Sequence, residues 1–291
     1  MADMTAVTMA TYLPVVYSAL ATITYRANNV TWPLLDHSWE PEIGVGRGST
    51  VDIASFTQNA RTDAVKRTTF GTGATLTFNA NTEAQVQLVV NTMVYDAYRM
   101  PVEMVVQKMP NYDTLLAEGI GTALAGYVDY DVASDNTNGF DAFTAIGTDN
   151  VDVTSDVFLQ GEQNLNDNMA PVPGRFFVIS PATRGSLLNI EVFRNQLYAP
   201  AIGNLAGKKG PGYLGPINTL AVYMSANLEA GTSGKKNFMG HTQAIACAMQ
   251  QNVTLLRGMN IADGLFNETV GYVVYGIKLV KSGFGREVDG K

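Results

Sequence analysis

Residues 51–78 contain two short segments in which apolar and polar residues alternate. Val51–Phe56 shows this pattern, and so does Ala74–Phe78; a period of two residues indicates β-strand. The residues between them are polar and end in Gly71-Thr72-Gly73, which is typical of a turn. The pattern therefore predicts a long β-hairpin. Because an isolated two-stranded hairpin is at best marginally stable in water, this one must lie on another surface.

The residues that lead into the first strand, GVGRGSTVDI at 44–53, have the glycine content of a phosphate-binding loop. A Walker-type loop needs a lysine directly before its Ser or Thr and a helix directly after it. Here Ser49 follows Gly48 with no lysine, and a strand follows, so no helix N-terminus is available for an anion. We interpret the glycines as a turn where the hairpin leaves the body of the protein, and Arg47 as a candidate contact at its base.

The remaining segments mix helix and strand without regular alternation, which favours an α+β fold. Apolar residues recur every three or four positions over 111–133 and predict a helix about 30 Å long. Gly119, Gly121 and Gly126 weaken this helix, so we expect packing to hold it, with close neighbours at the glycines. The patterns further predict strands at 84–107, 175–179, 220–224 and 270–280, helices at 155–169, 182–191 and 241–251, and a glycine-rich loop at 203–216.

Charge is unevenly distributed along the chain. Only 15% of the residues are charged, against about 25% in a typical soluble domain, which is a weak indication of an assembly that covers much of the surface. Residues 1–108 carry a net charge of −2, residues 109–174 have eleven acidic side chains and no Lys or Arg, and residues 175–291 carry +6. Either surfaces of opposite sign meet, or the acidic block is a solvated face. The balance does not fit a sequence-specific nucleic-acid reader.

No catalytic or metal-binding arrangement emerges from the sequence. One cysteine and two distant histidines predict no disulfide, no metal site and no cofactor. His241 and Cys247 would lie on different faces of a predicted helix. Ser180 lies between a strand and a helix, as a hydrolase nucleophile does, but the Gly-x-Ser-x-Gly elbow is missing and we interpret Ser180 as a helix N-cap. Asp129 and Asp131, near the end of the long helix, are expected to be solvated.

Other charged and apolar segments have plain interpretations. Lys208-Lys209 and Lys235-Lys236 lie in glycine-bearing segments and are expected to be exposed loop charges. No run of 18 apolar residues is present, so we predict no membrane-spanning helix and no membrane partner. Residues 12–25 are apolar but lack the basic leader of a secretory signal, and we assign them to an arm or helix of the mature protein.

Taken in order, these segments resemble the Hong Kong 97 fold of the major capsid proteins of tailed phages. GRGSTVDI resembles the start of that family's long hairpin, the E-loop, and the helix at 111–133 resembles its spine helix. GRFFVISPATRGSLL at 174–188 resembles the strand and helix of its axial domain. The segments LAVYMSANL, GHTQAIACAMQ and GYVVYGIKLV resemble its closing segments, so the resemblance covers nearly the whole chain.

The resemblance implies an N-terminal arm at 1–44, an E-loop at 45–83, a peripheral domain of 84–135 with 252–291, and an axial domain at 136–251. It implies a virion protein, not an enzyme, which assembles in the host cytoplasm into hexamers and pentamers of an icosahedral shell. The shell would enclose double-stranded DNA without sequence specificity. Scaffolding, portal and decoration proteins are candidate partners.

Contacts between copies can also be predicted. Some relatives join an E-loop lysine to an asparagine of a neighbour; Lys66 is the only E-loop lysine here and has no matching partner, so we expect a non-covalent lattice. We expect Arg61, Lys66 and Arg67 at the hairpin tip to meet acidic groups from 109–174 of a neighbouring copy. Two alternatives stay open: an encapsulin-like nanocompartment shell with the same fold and, from another class, a hydrolase using Ser180.

Overall fold

The structure is a computed structural model that describes residues 18–43, 48–56, 83–107, 112–190, 210–260 and 265–291. Its helices are residues 18–28 (α1), Val102–Gln107 (α2), Tyr112–Ser134 (α3), Ser155–Asp167 (α4) and Pro181–Asn189 (α5). Its strands are Thr50–Phe56 (β1), Glu83–Val89 (β2), Thr92–Pro101 (β3), Ala145–Gly147 (β4), Arg175–Ile179 (β5), Tyr213–Ile217 (β6), Leu220–Met224 (β7), Lys235–His241 (β8), Ile245–Asn260 (β9), Phe266–Leu279 (β10) and Gly285–Gly290 (β11).

These strands form three sheets. β1 and β2 make an antiparallel pair, β3, β10 and β9 form an antiparallel sheet in that order, and a six-stranded sheet has the order β4-β11-β8-β5-β7-β6. In the six-stranded sheet, β4 runs parallel to β11 and β5 parallel to β7, while the other pairs are antiparallel. Helices combined with largely antiparallel sheets agree with the predicted α+β class.

β1 is the first strand of the predicted hairpin, but its partner in the structure is β2, in the segment predicted as a separate strand at 84–107. We call the pair of β1 and β2 the hairpin base. β1 pairs along its whole length with β2, from Thr50 opposite Val89 to Phe56 opposite Glu83. The predicted strand at 74–78 and the polar tip lie outside the described residues. Gly48, just before β1, has a φ of +98°, a left-handed conformation that glycine adopts without strain, in agreement with the predicted turn.

The long helix predicted at 111–133 is confirmed as α3, and its three glycines have different surroundings. A Cβ at Gly121 would lie 2.5 Å from the carbonyl oxygen of Ala21 in α1, so glycine allows the two helices to approach closely. A Cβ at Gly126 would make an ordinary contact with Asn227 at 3.6 Å, and one at Gly119 would meet nothing within 4 Å. The predicted close approach is therefore found at Gly121.

Asp129 on α3 is fully buried, so the expectation that it is solvated is wrong. Its carboxylate accepts hydrogen bonds from the Val30 N–H at 2.9 Å and from the N–H and hydroxyl of Thr31 at 2.9 and 2.6 Å. Burial raises the pKa of Asp129, and these hydrogen bonds oppose the rise. Asp131 accepts a 2.5 Å hydrogen bond from the Tyr275 hydroxyl. The two carboxylates thus tie α3 to the chain after α1 and to β10.

Residues 18–43 are part of the main hydrophobic core. Tyr25, Trp32 and Leu35 are buried there together with apolar side chains of α3. The Trp32 ring makes an edge contact with Tyr275, with 5.4 Å between ring centroids. The described part of the predicted N-terminal arm therefore contributes to the core.

The alanine-rich residues 241–251 are not an α-helix, so that prediction is wrong. His241 ends β8, Thr242–Ala244 form one 3-10 turn, and β9 begins at the next residue. The glycine-rich residues 203–216 also include the start of a strand, β6, which begins at Tyr213, while 203–209 lie outside the described residues.

Close packing explains why the alanines are in a strand. Ala248 on β9 lies opposite Gly276 on β10, and a Cβ at Gly276 would lie only 2.3 Å from the carbonyl oxygen of Val89 on β2. Ala246 and Ala248 are buried in the same cluster as the hairpin residues Ile53 and Leu88. Small side chains are required where the hairpin base lies on the sheet, and this packing overrides their helix propensity.

The six-stranded sheet supports the second hydrophobic core. Its central strand β5 is buried along its whole length, as predicted. The Ser180 side chain that follows it accepts a 3.0 Å hydrogen bond from the Thr183 N–H and caps α5, which confirms the N-cap interpretation. The predicted helix at 155–169 is confirmed as α4, and the strands at 220–224 and 270–280 as β7 and the greater part of β10.

Candidate inter-subunit surface

The four residues predicted to contact a neighbouring copy are Arg47, Arg61, Lys66 and Arg67. All four lie outside the described residues. Their role in contacts between copies therefore stays a prediction.

Most of the acidic block at 109–174 has partners within the chain. Eight of its eleven carboxylates accept hydrogen bonds or form ion pairs, which leaves Glu118, Asp156 and Asp167 without such a partner among the described residues. The acidic block is therefore neither a wholly solvated face nor a surface that is wholly free to meet a surface of opposite charge. The eight are Asp113 (with Arg257), Asp129 (Val30 and Thr31), Asp131 (Tyr275), Asp135 (Thr137 and Asn138), Asp141 (Lys236), Asp149 (Ser233 and Gly234), Asp152 (Ser186 and Lys291) and Glu162 (Asn218 and Thr219).

One face of the sheet formed by β3, β10 and β9 is covered by α1 and α3. Residues 271, 273 and 275 of β10 alternate with their neighbours and so point to the same side. A Cβ at Gly271 would lie 2.3 Å from a side-chain carbon of Ile120 on α3, and Val273 and Tyr275 are fully buried. At the outer edge of β9 the Leu255 N–H donates to the Ser18 hydroxyl of α1 at 3.0 Å.

The opposite face of this sheet is covered over only part of its length. At one end Val274 packs against the hairpin cluster that contains Ile53 and Leu88. Further along, the side chains of Tyr95, Met93 and Leu256 are 67%, 57% and 56% exposed. By the strand registers, Met93 and Tyr95 share this face with Tyr272 and Val274, and Leu256 lies opposite Val270. We call these exposed residues, with the half-buried Val270 and Tyr272, the sheet patch.

The patch borders an open strand edge. Within the described residues β3 pairs with β10 alone, so its ten-residue outer edge is unpaired there. Met104 in α2 and Leu265 just before β10 are exposed beyond the patch, and Met259, which lies opposite Asn267, is exposed on the other face of the sheet. Exposed apolar surface and an open strand edge are both typical of contacts between protein chains.

The sequence carries a weak signal for this surface. β3 has apolar residues at both odd and even positions, including Met93, Val94, Tyr95 and Tyr98. A strand with apolar side chains on both faces is normally buried on both faces. The sequence alone does not reveal that the helices cover only one of them.

The candidate catalytic residues do not form a catalytic site. The Ser180 hydroxyl is buried and contacts the Thr183 hydroxyl at 2.9 Å and the Lys291 main-chain oxygen at 3.2 Å, and no histidine is among its described hydrogen-bond partners. Ser180 is therefore held as a structural cap rather than presented to a substrate.

His241 and Cys247 lie in two different strands and not on one helix. His241 Nε2 is 2.9 Å from the Pro173 carbonyl oxygen, whereas Cys247 Sγ is 3.3 Å from Nδ1 of His37. Cys247 is fully buried, and burial raises the pKa of its thiol, which opposes formation of a nucleophilic thiolate. Among the described residues no group of three or more His, Cys, Asp or Glu side chains could hold a metal ion. In the same part of the chain no helix has the length and apolar character needed to cross a membrane.

Comparisons with known proteins place the fold. No family model and no curated protein matches the sequence. Among solved structures, a chain of Mycobacterium phage Che8 is similar with a TM-score of 0.67 and 19% identity, covering 89% of this chain and 90% of that one. A chain of the mature capsid of bacteriophage PhiM1 has a TM-score of 0.58 and 14% identity, covering 92% and 86%. A chain of a virus-like particle from Pyrococcus furiosus has a TM-score of 0.60 and 11% identity, covering 96% and 100%.

These similarities define the class of fold. Chains from several tailed phages align over most of their own length and most of this chain. The protein therefore has the fold of tailed-phage capsid proteins, and the resemblance to the Hong Kong 97 fold is confirmed at the level of the fold.

Proposed function

We propose that the protein is the major capsid protein of a tailed phage and assembles into hexamers and pentamers of an icosahedral shell around double-stranded DNA. The observation that carries the proposal is the similarity to the PhiM1 capsid chain over 92% of this chain and 86% of the other. An insertion or a missing domain would have reduced that coverage. The exposed sheet patch supports the proposal, because a chain that acts alone rarely leaves such a surface open.

The neighbour's hairpin is the partner that we propose for the sheet patch. The hairpin base lies on the same face of the three-stranded sheet as the patch, through Val274, so each copy has a hairpin and an apolar surface beside it. Burial of apolar area would supply most of the association free energy, at about 25 cal/mol per Å².

The basic hairpin residues would fix the position of the hairpin on its neighbour and would contribute little to the affinity of the contact. An exposed ion pair is worth only about 0–1 kcal/mol. Of the acidic block, Glu118, Asp156 and Asp167 are the carboxylates that stay available to Arg61, Lys66 and Arg67 of a neighbour, because the other eight have partners within the chain. Arg47 would contact the neighbour at the base of the hairpin.

Electron microscopy and sedimentation of the purified protein test the proposal, with Tyr95→Asp as the key variant. Tyr95 is 67% exposed, so a charge there should leave the subunit folded and abolish or strongly reduce shells. Tyr127→Asp is the matched control, because Tyr127 is a 53% exposed tyrosine on α3, away from the patch, and should leave shells intact. Normal shells from Tyr95→Asp would refute the assigned surface. Absence of shells from the unmodified chain, with and without scaffold, would refute the function.

A charge reversal tests the hairpin contact separately. Lys66→Glu combined with Arg67→Glu should raise the protein concentration needed for assembly at moderate salt. Changing Asp156 and Asp167 to Lys in the same chain should lower that concentration again. If the reversal has no effect at low salt, the acidic block is not the partner of the hairpin.

A shell that encloses protein instead of a genome is the second candidate. The similarity to the Pyrococcus furiosus virus-like particle chain, which is covered completely, favours it. Purified particles separate the two candidates: nuclease-protected double-stranded DNA supports the phage capsid, and a co-purifying enzyme supports an encapsulin-like compartment. For the phage capsid, scaffolding, portal and decoration proteins are further proposed partners, and assembly in the host cytoplasm is the proposed location.

A further inference from the structure

One face of the six-stranded sheet carries a lysine that is surrounded by carboxyl groups. The Lys236 ammonium on β8 donates directly to Asp141 in the 3-10 helix Phe140–Ala142. It also lies 3.5 Å from Oε1 of Glu287 on β11 and 3.4 Å from Oε2 of Glu229. The side chains of Lys236, Asp141 and Glu287 are only 22%, 14% and 7% exposed. Three elements thus hold one amine against one carboxylate, with a second carboxyl group beside both.

Glu287 is the carboxyl group whose protonation state is unusual. Burial raises its pKa to about 8; the charge of Lys236 opposes the rise, and the charges of Asp141 and Asp289 and a hydrogen bond with Asp141 add to it. The raised pKa favours the protonated form of Glu287, and the protonated acid can donate its proton towards Asp141. A neutral acid hydrogen-bonded to a carboxylate can pass a proton to it, which is the role of a general acid.

Aromatic side chains form the inner wall of this cluster. Phe140 adjoins Asp141 in sequence, and Phe238 is two residues from Lys236, on the same side of β8. Both rings are fully buried, with their centroids 5.2 Å apart. Such a wall lowers the local dielectric and reduces the stability of separated charges relative to a neutral product.

We propose that Lys236 and Asp141 condense to an intramolecular isopeptide bond, with Glu287 as the proton relay. Lys236 transfers one proton through Glu287 to the carboxylate of Asp141, and its amine lone pair attacks Cγ of the resulting carboxylic acid. A carbon–nitrogen bond forms, one carbon–oxygen bond breaks, and the oxygen leaves as water with protons that pass through Glu287. The ammonium and the carboxylate become an amide and one water molecule, and Glu287 ends protonated, as it began. No oxidant, metal or other reactant is needed.

The charge state of Lys236 limits the rate of this reaction and does not prevent it. Burial acts to lower the pKa of Lys236, but the hydrogen bond to Asp141 and the charges of Glu287, Asp141 and Glu229 outweigh burial and raise that pKa above its usual range. Little neutral amine is therefore present at any moment. The reaction needs to occur only once per chain, and fixed proximity is worth effective concentrations of about 10⁵–10⁸ M.

Intact-mass spectrometry of the purified, denatured protein tests the proposal, which does not depend on shell assembly. The expected mass is about 18 Da below the sequence mass, the loss of one water. Because no Lys or Arg lies between 109 and 174, trypsin leaves Asp141 in a long peptide, so a second protease that cuts after aromatic residues is added. Fragment spectra should then show a peptide containing Asp141 joined to one containing Lys236.

Two matched variants test the relay. Glu287→Gln should fold and show the full sequence mass, whereas Glu229→Gln removes a carboxylate that also contacts Lys236 and should keep the loss. A full mass for the unmodified protein overturns the proposal. So does a loss that maps to the Asp-Gly steps at 263–264 or 289–290, where dehydration makes a succinimide. A loss that persists in Glu287→Gln removes Glu287 from the mechanism.

Discussion

Two glycines in one helix should respond in opposite ways to the same substitution. Gly119 and Gly121 are both in the interior of α3, where alanine in place of glycine favours the helix by about 0.5–1 kcal/mol. At Gly119 nothing lies within 4 Å of the added methyl group, so the full gain should be observed. At Gly121 the methyl group would lie 2.5 Å from the Ala21 carbonyl oxygen and 3.1 Å from Cβ of Thr24. A backbone atom cannot rotate away, so α1 has to move.

The magnitudes follow from this geometry. Overpacking costs about 1–3 kcal/mol, and the helix gain offsets part of it, so Gly121→Ala should be destabilised by about 1–2 kcal/mol. Gly119→Ala should be stabilised by up to about 1 kcal/mol. Both variants share the helix gain, so their difference equals the overpacking cost of about 1–3 kcal/mol, which corresponds to roughly 2–12 °C in Tm for a chain of this size.

Thermal unfolding of the unassembled subunit, followed by tryptophan fluorescence, measures this difference. Trp32 is a suitable probe because it is buried in the same core, just after α1. Gly126→Ala, where the new methyl group would make an ordinary 3.6 Å contact, should fall between the other two variants. Equal Tm values for Gly119→Ala and Gly121→Ala would show that α1 does not pack on α3 as described.

Three further predictions concern buried polar groups. Asp129→Ala should lower the free energy of unfolding in urea by about 2–3 kcal/mol, because the Val30 and Thr31 donors lose their acceptor. A decrease in unfolding free energy of less than about 0.5 kcal/mol would contradict the role of Asp129 as that acceptor. Arg175→Met should cost about 3 kcal/mol, because the buried guanidinium donates to the carbonyl oxygens of Ala170 and Pro171 and to Asn166 Oδ1, and an unchanged Tm would count against it. Burial gives Glu287 a folded pKa above its unfolded value, so its stabilising effect is complete below about pH 4.5 and is lost as pH rises to about 8. The Tm of the unmodified protein should therefore fall over that interval. In the Glu287→Gln variant, Tm should depend less on pH over the same interval.

The sequence was sufficient where one local signal and burial agree. Over α3 the three- to four-residue period coincides with a helix that packs on one side, and at Ser180 the N-cap and proline signals coincide with the end of a buried strand. The helix prediction for residues 241–251 is wrong because alanine favours helix when only the local sequence is considered. Here Ala248, opposite Gly276, supplies the small side chain that the close approach of β2 requires. The charge of Asp129 predicted a solvent-exposed side chain. The backbone N–H groups that bind its carboxylate lie about 100 residues away in sequence, so no local sequence pattern reveals them.

The same distance limit applies to the candidate surface. The excess of negative charge at 109–174 is visible in the sequence, but the partners of its carboxylates come from residues 30 to 291 and appear only in the folded chain. The sheet patch is likewise defined by which face α1 and α3 leave uncovered. The hairpin was predictable as an element that needs a surface, and the surface itself was not.

Because most carboxylates of the acidic block are bound within the chain, we expect apolar contacts rather than ion pairs to dominate the association between copies. If the block were a free acidic face, assembly would depend on charge and weaken as salt screens it over a Debye length of about 10 Å at 0.1 M. Eight of its carboxylates instead have partners within the chain, and the exposed residues of the patch, Met93, Tyr95 and Leu256, are uncharged. Contacts through such a surface are strengthened by sulfate, which favours apolar burial, and are little affected by chloride at the same ionic strength. The dependence of the assembly threshold on these two salts therefore separates an apolar contact from a charged one without any substitution.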